Sequence, residues 1–200
     1  MWLSPYLREN MNKKELIRLE ATRVRDNIDL SLENIDAVAE ILLDNFNVDS
    51  NLKISLYWPK GREFPTFPIM DVLKGRGVDF SLPVISKNTK KLDFYVFQGE
   101  GRLEEFRNDI YQPIVDDESV LVASPDVIIC PLLAFDQRGY RIGYGGGYYD
   151  CTISELKKHG HSPSLIGLAY STQACLFPLP IEDHDEKMDA IITPNGFIKY

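Results

Sequence analysis

Apolar positions recur along this chain with two periods, near 3.6 and near 2. "NKKELIRLEATRVRDNI" from Asn12 reads as a charged helix with a thin apolar stripe. "SLENIDAVAEILLDNF" predicts a stronger amphipathic helix, capped by Ser31, with Leu32, Ile35, Val38, Leu42 and Phe46 on one face. "LKISLYW" is a strand candidate, and "TFPIMDVLKGRG" a short helix with Pro68 in its first turn and Gly75 or Gly77 at its exit. "VDFSLPVI" and "KLDFYVFQG" read as strands. "SPDVIICPLLAF" is nearly continuous in apolar character, as expected of a central parallel strand buried on both faces. "YYDCTISELKKHG" then predicts a helix ending at His159 and Gly160, followed by the strand candidate "SLIGLAY" and, as the last strand, "MDAIIT".

Strands alternating with helices predict an α/β fold. The expected form is an open, mostly parallel sheet with helices on both faces, a three-layer α/β/α arrangement. No repeat, low-complexity tract or interdomain linker breaks the pattern. Met11 precedes the first strong helical pattern, so residues 1–10 are expected to be a loose extension, or to follow a misassigned start, and 11–200 a single domain. In such sheets ligands collect beyond the C-terminal ends of the strands.

Composition narrows the classes. An apolar fraction of 44% is ordinary for a globular protein, and a net charge of −8 argues against nonspecific nucleic-acid binding. Three scattered cysteines form no disulfide framework, and Cys130 inside its apolar run reads as a small buried hydrophobe. No signal-peptide pattern and no apolar stretch long enough for a membrane helix are visible, so a cytoplasmic location is expected. Charge is uneven: residues 1–25 are basic and residues 181–200 acidic. The two stretches either meet around an anion–metal complex or are two ordinary solvated surfaces.

"GYRIGYGGGYYD", from Gly139 to Asp150, carries the candidate chemistry. Three consecutive glycines weaken any strand or helix, but they let backbone N–H groups approach a ligand and form a concave anion site. A helix starting there adds its positive dipole end. Arg141 could grip phosphate oxygens, and Asp150 could hold a divalent cation. The plain alternative is a flexible hairpin turn with a few tyrosines. The spacing matches neither a Walker loop nor a dinucleotide fingerprint. Its place after the buried strand, at the expected binding edge, moves the balance toward function.

"PLLAFDQRGYRIGYGGGYYD" resembles the signature of the 5-formyltetrahydrofolate cyclo-ligase (methenyltetrahydrofolate synthetase) family. "KELIR" at 14–18, "EFPT" at 63–66, "LPVI" at 82–85, "LDF" at 92–94, Gln173 and "LPIEDHDEKMDAIIT" fit other elements of the family, in order. The likeness covers most of residues 11–196. It departs at Leu132, where glycine is usual, at Cys151, where arginine is common, and at Gln112, where glutamate is frequent.

The resemblance implies ATP- and Mg²⁺-dependent conversion of 5-formyltetrahydrofolate to 5,10-methenyltetrahydrofolate, with ADP and phosphate as products. It places Lys14, Arg18, Arg141, Gly143, Gly145, Gly146, Gly147, Tyr148 and Tyr149 around ATP, and Asp150 and Asp185 on Mg²⁺. Arg141, Tyr148 and Asp150 are the implied catalytic set. Trp58, Glu63, Tyr144, Gly145, Gly146, Gly147 and Tyr148 are placed around the folate. A carboxylate such as Glu63 suits the amino-pyrimidine edge, because it accepts two N–H donors. Plain readings stand beside these: a solvated face for Lys14 and Arg18, core packing for Trp58, Tyr148 and Tyr149, a surface charge for Asp185. Asp136 is expected to orient the loop or an arginine, His184 to be a structural neighbour, and His159 and His161 to lie at the surface. Small molecules are the expected partners, with no nucleic acid and no membrane, for a monomer or weak homodimer. The competing functions are an ATP-dependent enzyme acting on another heterocycle and a non-catalytic folate- or nucleotide-binding protein.

Overall fold

Seven strands make the central sheet of the computed structural model, which describes residues 12–86 and 89–200. Numbered along the chain they are β1 (Ile54–Ser55), β2 (Phe80–Ile85), β3 (Leu92–Val96), β6 (Val127–Cys130), β9 (Ser164–Leu168), β11 (Ala190–Thr193) and β12 (Gly196–Lys199). They lie in the order β12-β11-β9-β6-β1-β2-β3. The five inner strands run parallel, and β3 and β12 close the edges antiparallel. Two small sheets flank this one: the hairpin β4 (Leu103–Arg107) with β5 (Ile110–Pro113), and β10 (Ala174–Cys175) with β7 (Ala134–Asp136) and β8 (Arg141–Ile142). The expected extension at residues 1–10 lies outside the described residues.

Alternation along β6 shows why the sheet needs two covers. Val127 and Ile129 join one core with Val38 and Leu42 of helix α2 (Ala37–Asn45) and Ile69, Met70 and Leu73 of helix α3 (Phe67–Gly75). Ile128 and Cys130 face the other way, where Ile153 of helix α4 (Tyr148–Lys158) packs. A strand buried on both faces is apolar throughout, and the expected three layers follow. Burial also pushes the Cys130 thiol up to about 12, as suits an inert core residue. The sheet that carries β7 and β8 is covered separately, by Ile17 and Ala21 of helix α1 (Lys13–Asp26).

Three expectations are corrected. The second helix begins at Ala37 and not after Ser31. The Asp29 carboxylate accepts from the Ser31 N–H (3.0 Å) and Oγ–H (2.7 Å), which holds Leu30–Leu32 in a separate 3₁₀ turn and leaves Leu32 82% exposed. The run "VIICPLLAF" is two strands, not one. Pro131 has no N–H to give a ladder, so β6 stops at Cys130 and the chain leaves for the β7–β8 sheet. "MDAIIT" is not the last strand, because Pro194 and Asn195 turn the chain back into β12. The β4–β5 hairpin carries no forecast at all. It turns at Asn108 and Asp109, both with positive φ, a conformation these residue types tolerate. Among the described residues, no helix is long and apolar enough to cross a membrane.

Candidate active site

Beyond the C-terminal ends of β1, β2 and β6 lies a cavity of about 420 Å³, the edge at which an open parallel sheet binds ligands. The glycine loop forms one wall. It leaves β8, and Gly147, with φ of +70°, begins α4 in the left-handed region that glycine tolerates. A side chain at Gly145 would bring its Cβ to 3.2 Å from Arg18 Cζ, and one at Gly146 to 2.7 Å from the Tyr148 ring. The glycines therefore make room for these neighbours. Arg18 donates from Nε to the Gly143 carbonyl (3.1 Å), so helix α1 holds the loop from outside.

The basic start and the acidic end of the chain meet at this cavity. Lys14 Nζ donates to Glu182 (2.7 Å) and Asp185 (2.5 Å). Burial works against the Lys14 charge, yet its two carboxylate partners raise its pKa above the ordinary lysine value. Arg141 Nη2 donates to Asp150 Oδ1 (3.0 Å) and Nη1 to the Glu186 carbonyl (2.9 Å), while the Glu186 N–H also reaches Asp150 Oδ1 (3.1 Å). Possible ligand atoms of Glu182, His184 and Asp185 lie within 4.8 Å of one another.

The opposite wall is aromatic around one carboxylate. Glu63 is 9% exposed, and its Oε2 accepts from the Lys60 N–H (2.7 Å). Burial raises its pKa, opposed by that N–H, by the Tyr144 hydroxyl and by the charges of Arg25 and Lys60. Burial also pushes the hydroxyls of Tyr57 and Tyr149 well above the usual tyrosine range, and that of Tyr57 donates to the Phe64 carbonyl (2.7 Å). Trp58 packs edge-on against Phe67 (5.3 Å between centroids) and lines the cavity as well, so the core and the site share it. Across from it, Arg107 of the β4–β5 hairpin donates to the Tyr148 hydroxyl (3.2 Å).

The residues singled out in the sequence for ATP, folate and metal all line this one cavity: Lys14, Arg18, Trp58, Glu63, Arg141, Gly143 to Asp150, and Asp185. Sequence reasoning missed Arg25, Lys60, Arg107 and Glu182. Arg25 had a signal, for it follows Lys14 by eleven residues and Arg18 by seven, on the same helical face. Asp136 orients an arginine, Arg138. Its carboxylate takes Arg138 Nε (2.9 Å) and the N–H groups of Arg138, Tyr140 and Leu179. His159 and His161 are exposed. Of the departures, Leu132 packs over Gly167, where an added Cβ would come within 2.8 Å of it. Gln112 is buried at the cavity wall, accepting from the Ile85 N–H (3.2 Å) and donating to Glu104 (3.1 Å). Cys151 is exposed.

The donor set fits a polyphosphate with a hard divalent cation. Lys14, Arg18 and Arg141 supply positive charge beside open loop backbone, and Asp150 and Asp185 supply carboxylate oxygens.

A family model described as the 5-formyltetrahydrofolate cyclo-ligase family matches residues 7–194. The Escherichia coli (strain K12) 5-formyltetrahydrofolate cyclo-ligase is 34% identical over 135 residues, 66% of this chain and 72% of that protein. The Haemophilus influenzae 5-formyltetrahydrofolate cyclo-ligase is 29% identical over 181 residues, 88% of this chain and 95% of that protein. The solved structure of Aquifex aeolicus 5,10-methenyltetrahydrofolate synthetase matches with a TM-score of 0.70 at 25% identity, covering 94% of this chain and 93% of that one.

Proposed function

The chain belongs to the 5-formyltetrahydrofolate cyclo-ligase family, and we propose that its cavity drives the closure of 5-formyltetrahydrofolate to 5,10-methenyltetrahydrofolate with ATP and Mg²⁺. The observation that carries this is the convergence of three cations, the glycine loop and a buried carboxylate on one cavity. A formamide carbonyl is a poor electrophile, and its oxygen is a poor leaving group. Transfer of the γ-phosphoryl group to that oxygen makes it leave as phosphate once nitrogen 10 has attacked the formyl carbon. The products are the methenyl ring, ADP and phosphate.

The protein's share is positioning and electrostatics. Lys14, Arg18 and Arg141 neutralise the triphosphate, and the backbone of Gly143 to Gly147 lets it come close. Arg141, held by Asp150 and the Glu186 carbonyl, enters the site with its fork already oriented. Asp150 and Asp185 would hold Mg²⁺, which would supply positive charge to offset the negative charge of the triphosphate. Glu63 accepts the pterin's N–H donors, Trp58 supplies an apolar wall, and Tyr144 and Tyr148 flank the reacting part of the folate. The working form is a cytoplasmic monomer or weak homodimer that acts on small molecules, without nucleic acid or membrane.

The test is direct. Purified protein is mixed with 5-formyltetrahydrofolate, Mg²⁺ and ATP while the near-ultraviolet absorbance of the methenyl product is followed. Growth of that band only when both ATP and Mg²⁺ are present is the expected outcome. A flat trace from folded, ATP-binding protein would overturn the proposal in favour of another acceptor.

A further inference from the structure

Arg25 lies in the last turn of helix α1, where an arginine side chain ordinarily reaches water, yet only 9% of its side chain is exposed. Its Nη1 donates to the Tyr144 hydroxyl, and its Cζ lies 5.7 Å from the centre of that ring. Its Nη2 and Nε hold Asp26 at 3.0 and 3.2 Å, which fixes the plane of the guanidinium. Tyr144 and Glu63 line the same cavity, and the Tyr144 hydroxyl faces the Glu63 carboxylate and helps to hold its pKa down.

The direction of this chain follows from chemistry. A guanidinium has no acceptor, so the Tyr144 oxygen accepts from Arg25. The single hydroxyl proton is then available for Glu63, which takes it as an acceptor. One Glu63 oxygen is also held by the Lys60 N–H. A carboxylate has about four acceptor sites, so the Lys60 N–H and the Tyr144 proton together orient it and leave sites for a ligand. Arg25 is not among the residues that line the cavity. Its hydrogen bond toward the site is the one to Tyr144, and its charge also acts on Glu63.

We propose that Arg25 is a positioning residue for folate recognition: through the Tyr144 hydroxyl it sets the orientation of Glu63 and ties the glycine loop to helix α1. The inference rests on the proposed placement of Glu63 against the folate. It implies that the last turn of α1 serves the folate end of the cavity, as Lys14 and Arg18 in its first turns serve the phosphate end.

The test is a double-mutant cycle read as KM for 5-formyltetrahydrofolate against KM for ATP and kcat. Arg25→Met and Tyr144→Phe are each expected to raise the folate KM roughly 10-fold, as for loss of one hydrogen bond involving a charged group. The ATP KM should change little, and the double variant should be no worse than Tyr144→Phe. Arg25→Lys, which keeps a donor, should restore part of the loss. A wild-type folate KM in Arg25→Met, or fully additive losses, would overturn the inference. Should Arg25→Met not fold, Arg25→Lys combined with Tyr144→Phe decides in the same way: additive losses overturn it, non-additive losses support it. Glu63→Gln separates the two levels. A raised folate KM there with a normal one in Arg25→Met removes only the role of Arg25. An unchanged KM in Glu63→Gln removes the placement of Glu63 and the inference with it.

Discussion

Helix α3 buries Ile69, Met70 and Leu73, whereas the residues that helix α1 buries are Lys14 and Arg25. The two are amphipathic helices with opposite contents. The inner face of α3 is removed from water against the central sheet, a favourable transfer that needs no partner of particular geometry. The inner face of α1 is charged, and each charge has a named partner: Glu182 and Asp185 for Lys14, the Gly143 carbonyl for Arg18, Asp26 and Tyr144 for Arg25. Buried charge contributes little net stability, because desolvation offsets the Coulomb gain. A helix built this way is kept for what its charges can reach. Ile17 and Ala21 give α1 only a narrow apolar footing, on the small sheet that carries the glycine loop. Thus α3 holds the fold together, and α1 holds the site to the fold.

Substitutions on the two helices should therefore separate activity from stability. The largest expected effect is on α1. Lys14→Met removes a charge at the phosphate end and should lower turnover roughly 10²–10³-fold, the range for losing one preorganised electrostatic contact. Its melting temperature should fall only modestly, since Glu182 is half exposed and can rehydrate, and Asp185 keeps the Glu182 N–H as a partner. Steady-state kinetics beside a thermal melt would show this, and a variant that melts early but turns over normally would make α1 a structural helix. Leu73→Ala on α3 should do the reverse. Leu73 is fully buried, and its truncation should cost about 3 kcal/mol of folding stability. The folded fraction should keep its KM for both substrates, which urea unfolding and kinetics together can check.

The same contrast explains what the sequence revealed and what it hid. The core elements were visible because burial writes a period. Val38 and Leu42 announce themselves by spacing, and the run from Val127 to Cys130 by its unbroken apolar character. The glycine loop was visible because three glycines in a row have few structural uses. The pairing of the basic start with the acidic end was not decidable, for charges at residues 14 and 185 look like solvated surface until the fold joins them. Arg107 was hidden for a similar reason, since the β4–β5 hairpin is mostly exposed and carries no strong alternation. The start of α2 was misplaced because the Asp29 carboxylate competed for the Ser31 N–H, a local contest that apolar spacing does not register.

A carboxylate that serves the frame rather than the chemistry makes a finer test. Burial pushes the Asp136 pKa up, but the N–H groups of Leu179, Arg138 and Tyr140 and the Arg138 guanidinium outweigh it and hold the pKa below the usual aspartate value. A depressed folded pKa contributes stability above the unfolded value, and that contribution is lost as pH falls through the folded one. Acid unfolding below about pH 4 should therefore draw partly on Asp136. Asp136→Asn should lose about 2 kcal/mol at neutral pH. Its stability should also fall less steeply with acid than that of the parent, as urea titrations at several pH values would measure. Equal acid slopes in the two proteins would mean that folding does not shift the Asp136 pKa.

The smallest effect sharpens the comparison most, because it stays within α1. Arg23 pairs with Glu20 on the outward face of the helix, three residues apart and well exposed. Such pairs gain little in water and are screened by salt. Arg23→Ala should leave the melting temperature and both KM values within error, although it removes an arginine only two residues from Arg25. If Arg23→Ala disturbed the folate KM as Arg25→Met is expected to, the effect would belong to the helix's overall charge. Silence at Arg23 beside a response at Arg25 would assign it to the inward face, where one guanidinium meets the Tyr144 hydroxyl.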